Sequence, residues 1–259
     1  MAFRNLHVVG CPRSGTTLIA EMLVACYPHS GHSQHEESVF KVPVARSGLY
    51  LSKQPNDALW VRPLLSRDPN LYVIAMMRDP RSVVCSMHDN WPGMYFCNYP
   101  VWKRAETAVS RIMAHPRVLV VRYEDLTRDP QAIQRRIEAH FPFLERLHAF
   151  EDFHKVAQSS EASRNALGGI RAVDTARVSG WRAHLPRLKH QMDLHPGLGV
   201  DVLRHAYEAD EKWQEILQDV RPIDFPCRYS EATQPLKLAE QRIRFWWKTK
   251  RYLRERGLQ

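Results

Sequence analysis

Residues 10–17 read GCPRSGTT, placing two glycines, an arginine and three hydroxyl side chains between a β-branched run and a segment with apolar residues at helical spacing. A strand that passes through such a loop into a helix leaves backbone N–H groups and the positive end of the helix dipole aimed at one point, where a phosphate fits. Gly10 and Gly15 have the spacing of the loop G-x-x-x-x-G-K-[ST], but Thr16 stands where that loop carries its lysine, so an ATPase or GTPase reading loses its usual cation. Arg13 offers another cation, with a planar donor fork suited to a phosphate and a leaving oxygen. Ser14, Gly15, Thr16 and Thr17 add backbone and hydroxyl donors. On this motif alone, a simple tight turn from strand to helix remains an open alternative.

Stepping along the chain, NLHVVG at 5–10 predicts a buried strand and 15–27 a helix stopped by Pro28. LYVIAMMR at 71–78 predicts a second strand, Asp79-Pro80 a turn and helix start, and RSVVCSMHD the helix that follows. RVLVVRY at 117–123 predicts a third strand, with Asp129-Pro130 opening a helix to about residue 140. Alternating strands and helices imply an α/β fold with a mainly parallel central sheet flanked by helices. Ligands of such sheets gather beyond the carboxyl ends of the strands, where the polar clusters beginning at Gly10, Arg78 and Arg122 all fall. Further on, FHKVAQSS, RVSGWRAHL at 177–185 and a helix at about 198–218 stand out, with Gly168-Gly169 in a loop.

The 259 residues, 44% hydrophobic and 25% charged, suit one domain spanning 1–259. The first residues run directly into a strand pattern without a signal-like apolar stretch, and runs such as YVIAMM are too short to span a membrane, so a soluble, cytoplasmic protein is expected. The five cysteines are odd in number and show no C-x-x-C spacing, which predicts reduced thiols. The net charge of +9 is uneven: residues 237–256 alone contribute +6. Such a balance suits an anionic ligand without identifying one.

The loop Pro12–Thr17 resembles the phosphosulfate loop P-[KR]-S-G-[ST]-[ST] of the PAPS-dependent sulfotransferase superfamily, PAPS being 3′-phosphoadenosine 5′-phosphosulfate. Arg78 followed eight residues later by Ser86 resembles the family's second signature; VRYEDL at 121–126 and RVSGWRAHL are similar to two further stretches, the latter one that closes over the nucleotide. The resemblance touches residues 7–185 and implies a P-loop-like sulfotransferase fold, PAPS as co-substrate, adenosine 3′,5′-bisphosphate as product and no required metal. It implies that Arg13 stabilises the bridging oxygen, that residues 14–17 hold the 5′-sulfophosphate, and that Arg78 and Ser86 hold the 3′-phosphate. Ser86 would then lie about two turns into its helix, facing the same phosphate as Arg78. Tyr123 and Trp181 are candidates for the adenine, with ordinary core the alternative for both.

In-line sulfuryl transfer needs a group to take the acceptor's proton. The histidine of the family's K-x-H context is missing from SKQPNDALWVRP, whereas HEESVF resembles the tyrosylprotein-like and many bacterial members, in which a glutamate after the loop helix is the base. That alignment makes Glu37 the base and Glu36 second, with His35 and Lys41 as possible assistants; a solvated carboxylate pair is the plain alternative. The H-x-x-H-x-x-H spacing of His29, His32 and His35 lacks a cysteine partner and is not read as a metal site. A hydroxyl-bearing acceptor is expected, with a carbohydrate or lipid-like alcohol preferred. The rival readings are a kinase-like phosphotransferase, which would need the missing lysine and a magnesium carboxylate, and a non-catalytic nucleotide-binding module. Residues 237–259 predict a basic amphipathic helix with Ala239, Ile243, Trp246 and Leu253 on one stripe, suited to docking on the body or to an anionic lipid surface or lipid-linked acceptor. No nucleic-acid motif accompanies it.

Overall fold

The computed structural model describes residues 2–44, 47–88, 91–232 and 235–258. Among them, five strands form one wholly parallel sheet: β1 (Arg4–Gly10), β2 (Gly31–His32), β3 (Leu49–Lys53), β4 (Leu71–Met77) and β5 (Val118–Arg122), in the order β2-β3-β1-β4-β5. β1 lies at the centre, and the chain leaves it first toward β2 and β3, then crosses over to β4 and β5. That reversal opens a crevice beyond the carboxyl ends of the strands, beside β1.

Helices connect and cover the strands: α1 (Thr16–Cys26), α2 (Arg62–Leu65), α3 (Pro80–Val84), α4 (Tyr99–Ser110), α5 (Tyr123–Arg128) and α6 (Pro130–His140). α7 (Phe153–Val156), α8 (Glu161–Leu167), α9 (Leu185–Leu194), α10 (Gly197–Arg204) and α11 (Pro235–Glu255) follow. The sheet's two-residue alternation sorts its side chains. Leu6, Val8, Ile74 and Met76 pack on one face with Ile19, Met22 and Leu23 of α1, while Val9, Val73 and Ala75 pack on the other with Leu64, Val109 and Tyr252. A third apolar cluster joins Val83, Val84 and Trp102 to Trp181, Leu188, Leu198 and Trp213.

The Asp-Pro pairs start their helices as expected. Asp79 accepts from the Arg81 N–H at 2.8 Å and Asp129 from the Ala132 N–H at 2.8 Å, each with proline in the first turn. Two predicted helices are shorter than expected. The one after Asp79 ends at Val84, because the chain turns back so that Met87 bridges Tyr95 and the Phe96 N–H bonds the Ser86 carbonyl at 2.9 Å. Ser86 therefore sits just past the helix, not two turns inside it. The helix predicted over 198–218 breaks after Arg204, where Ala206 turns left-handed (φ 51°) and Glu208 swings across to Arg81 at 2.7 Å; a 3-10 turn follows over Glu211–Leu217. Asp89 and Gln259, the last residues of two predicted segments, lie outside the described residues.

A buried polar chain crosses the middle of the sheet. Ser52 Oγ donates to Asn5 Oδ1 at 3.2 Å and lies 2.7 Å from His7 Nδ1, and His7 Nε2 lies 3.3 Å from Asp57 Oδ2. The same Asp57 oxygen accepts from the Val39 N–H at 2.6 Å. Sheet centre, the 3-10 turn Pro55–Leu59 and the loop around Val39 are thus joined by polar contacts that water does not reach.

The far end of α11 is held down at Asp68, whose Oδ2 accepts from Tyr252 Oη at 2.6 Å and Arg256 Nε at 3.2 Å. Phe245 stacks on Trp60 with ring centroids 4.1 Å apart, and Leu253 is buried. The docked face is therefore built on Phe245, Thr249, Tyr252 and Leu253, while Ile243 and Trp246 of the predicted stripe point outward. Among the described residues no helix is long and apolar enough to cross a membrane, and all five cysteines are free.

Candidate functional site

Each central strand delivers one functional side chain or loop to the same crevice. The parallel register pairs Val8 with Lys53, Gly10 with Met76 and Met77 with Arg122, so Lys53, the loop after Gly10, Arg78 and Tyr123 all emerge at one edge. The loop, Arg78 and Tyr123 border a cavity of about 540 Å³ lined by Arg13, Thr16, Thr17, Glu36, Arg78 and Tyr123, among others; Lys53 does not line it but reaches Thr17 and Glu36, which do.

The loop's shape rests on two left-handed residues. Gly15, at φ 90°, caps the start of α1, and a Cβ there would meet Tyr123 Cδ2 at 2.5 Å, so only glycine lets the ring lie against the backbone. Arg13 takes φ 71°, a costly conformation for a residue with a side chain. Bonds at both its ends hold it there: its carbonyl accepts from Arg78 Nη1 at 2.9 Å and its Nε donates to Ser86 Oγ at 2.7 Å. Ser14 is spent on the turn itself, donating to the Cys11 carbonyl at 2.6 Å, and its buried side chain does not line the cavity.

Arg78 bridges the loop and the cavity's roof. Its Nη2 donates to the Arg177 carbonyl at 2.8 Å and its guanidinium lies 4.1 Å over the Tyr123 ring. Burial lowers its proton affinity, with Tyr123 and Glu124 opposing, but an arginine remains charged. Its Nε is buried without a hydrogen-bond partner among the described residues. The roof, around residues 168–178, brings Arg171 and Arg177, and Arg228 enters from a later loop, so five arginines line the cavity against the carboxylates of Glu36 and Asp174.

The glutamate pair separates. Glu37 accepts from Tyr50 Oη at 2.7 Å and from Lys41 Nζ, and does not line the cavity. Glu36 does line it, with Oε1 3.5 Å from Lys53 Nζ. Lys53 was not singled out in the sequence. Its buried ammonium donates to Thr17 Oγ1 at 3.0 Å; burial lowers its pKa and Glu36 partly offsets that. The signal for it was slight, a lysine ending the apolar run LYLSK. Trp181, expected at the adenine, is instead core: it is buried with the Arg81 guanidinium 4.4 Å from its ring and lies outside the cavity. Tyr123 does line it, beside Phe153 and Leu167.

His29 and His32 contact each other at 3.0 Å, while His35 turns to Ser163 at 3.2 Å and lines the cavity. Among the described residues no group of three or more His, Cys, Asp or Glu side chains is arranged to hold a metal ion.

A model of the Sulfotransferase family matches residues 37–143, a span that begins beyond the phosphate loop. Among curated proteins no sequence matches this chain. Among solved structures, the chain is similar to a sulfotransferase domain from the curacin biosynthetic pathway (16% identity, TM-score 0.51, 70% of this chain and 92% of that one). It is also similar to a sulfotransferase domain from the Synechococcus PCC 7002 olefin synthase (17%, 0.50, 70% and 88%). A mouse sulfotransferase complexed with PAP is a third (15%, 0.51, 78% and 86%). At these identities the likeness establishes the fold.

Proposed function

We propose that the chain is a member of the sulfotransferase superfamily that moves the sulfuryl group of PAPS to an acceptor hydroxyl by in-line displacement, a reading supported by the partial family match and the shared fold. The observation that carries this reading is the convergence of a lysine-free phosphate loop, five arginines and Glu36 on one cavity, with Lys53 behind its wall in contact with Thr17 and Glu36. The donor supplies an activated S–O bond to its phosphate. The residues present fit it: the loop's backbone with Thr16 and Thr17 would hold the phosphosulfate end, and the charge of Arg78 the 3′-phosphate, joined by Ser86 through Arg13. Tyr123 offers the base an aromatic wall.

Arg13, with Lys53 acting from behind Thr17, would stabilise the charge that develops on the departing bridging oxygen. We assign proton acceptance to Glu36 rather than Glu37, because Glu36 faces the cavity and Glu37 is engaged by Tyr50 and Lys41. The acceptor oxygen bonds to sulfur as the sulfur–bridging-oxygen bond breaks, and its proton passes to the Glu36 carboxylate. His88, Phe96 and Tyr229 give the remaining wall an aromatic character, with Gln54 and Asn56 as amide groups, a lining suited to a sugar or lipid-like alcohol.

Calorimetric titration with adenosine 3′,5′-bisphosphate, beside ATP with magnesium, tests the donor site. Tight bisphosphate binding lost in Arg78→Ala supports it. With a sulfated acceptor as readout, Glu36→Gln is expected to abolish transfer while keeping bisphosphate binding, and Glu37→Gln to retain transfer. A second reading, phosphoryl transfer from ATP, draws on Lys53, which gives the loop a cation from the neighbouring strand; preference for ATP with magnesium would decide for it.

A further inference from the structure

The outward face of α11 carries a feature that the cavity does not use. Ile243, Trp246 and Trp247 are 62%, 53% and 63% exposed and lie on neighbouring positions of one helical arc. The two indoles meet edge to face at 4.8 Å, and Lys250 Nζ lies 5.4 Å from the Trp246 ring. From 242 to 254 the helix holds six lysines and arginines and no acidic residue. Arg242, Arg244, Lys248, Lys250, Arg251 and Arg254 are all exposed. The opposite face is fully committed to the body through Phe245, Tyr252 and Leu253, so this arc is not a core surface left over from docking.

We infer that this face seats the protein on an anionic lipid surface. Indoles lodge at the boundary between head groups and acyl chains, an aliphatic side chain adds apolar contact, and the flanking cations are attracted to negatively charged head groups. Charge complementarity and the indole pair together favour a bilayer over an apolar protein groove, which would not call for six exposed cations along one stretch, of which Arg251 is paired with Glu255. The placement also has a use. Phe245, on the docked face, packs on Phe40 and Trp60, so the helix is seated on the two segments that bring Glu36 and Asn56 to the cavity.

The test is co-sedimentation of the full chain, without donor, with vesicles of phosphatidylcholine alone or of phosphatidylcholine containing phosphatidylglycerol. Wild type is expected to pellet with the anionic vesicles only, and less as salt is raised. Trp246→Ala/Trp247→Ala and, separately, Lys248→Gln/Lys250→Gln are each expected to weaken partitioning about tenfold or more, both changes being at exposed positions that leave the docked face intact. Wild type remaining in the supernatant with anionic vesicles, a tryptophan variant that pellets like wild type, or duplex DNA that strips the protein from the vesicles would each overturn the inference. Bisphosphate binding measured on the same preparations keeps this outcome separate from that of the donor site.

Discussion

The Lys53 ammonium donates to the Thr17 hydroxyl across 3.0 Å, so β3, the strand beside β1 in the sheet, supplies the lysine that the loop itself lacks. Because Lys53 also faces Glu36, one side chain touches both the group that would bind the donor and the group that would accept the proton. Lys53→Met is therefore expected to lower kcat by about 10²-fold, the scale of a lost donor to developing charge, with a smaller change in bisphosphate affinity. Steady-state kinetics beside calorimetry checks this, and a variant with unchanged kcat would remove Lys53 from the reaction.

Arg78 uses two arms of its fork on backbone carbonyls, Arg13 on the loop and Arg177 on the roof. A lysine keeps the charge but not the fork, so Arg78→Lys should behave like Arg78→Ala, with bisphosphate affinity reduced at least about tenfold. Limited proteolysis should also cut faster near residues 168–178. Near-normal affinity in the lysine variant would show that charge alone suffices.

Gly15→Ala places a methyl group 2.5 Å from the Tyr123 ring and imposes φ 90° on a residue with a Cβ. The expected outcome is a loss of about 1–3 kcal/mol in stability, together with loss of bisphosphate binding, because loop and ring must both move. Urea unfolding and calorimetry report the two effects separately.

Glu124 accepts from the Asp79 N–H at 3.0 Å, yet burial raises its pKa above the ordinary 4.5, against the lowering effect of its backbone hydrogen bonds. Between 4.5 and the raised value the native state keeps a proton that the unfolded chain has released, so stability falls as pH rises through that window. The slope is at most about 1.4 kcal/mol per pH unit. Glu124→Gln should flatten this dependence while its amide oxygen still accepts from Asp79; urea midpoints measured across the window decide it, and an unchanged slope would trace the dependence to another group.

Strand periodicity and Asp-Pro starts were readable because they are local: a β-branched run or a capping aspartate acts over a few residues. The parallel sheet, the loop after Gly10 and the strand-end position of Arg78 follow from such signals. Which of the two glutamates lines the cavity was not readable, since only the fold reveals that Tyr50 and Lys41 engage Glu37 and leave Glu36 at the lining. Trp181 carried no local sign that Arg81, a hundred positions earlier in the chain, would cover its ring. The arginines at 171, 177 and 228 have no spacing at all; they converge because the late loops fold back over the sheet edge.

The buried chain from Asn5 through Ser52 and His7 to Asp57 has a bearing on how this site can change over evolution. Asp57 fastens both the turn carrying Asn56 and, through the Val39 amide, the loop that leaves Glu36. The backbone beside Asn56 and Glu36 is thus tied to the sheet's interior. If the acceptor lies where we propose, its choice would be altered by exchanging side chains such as His88, Phe96 and Tyr229 on this frame, whereas insertions near 39 or 57 would disturb the buried chain itself.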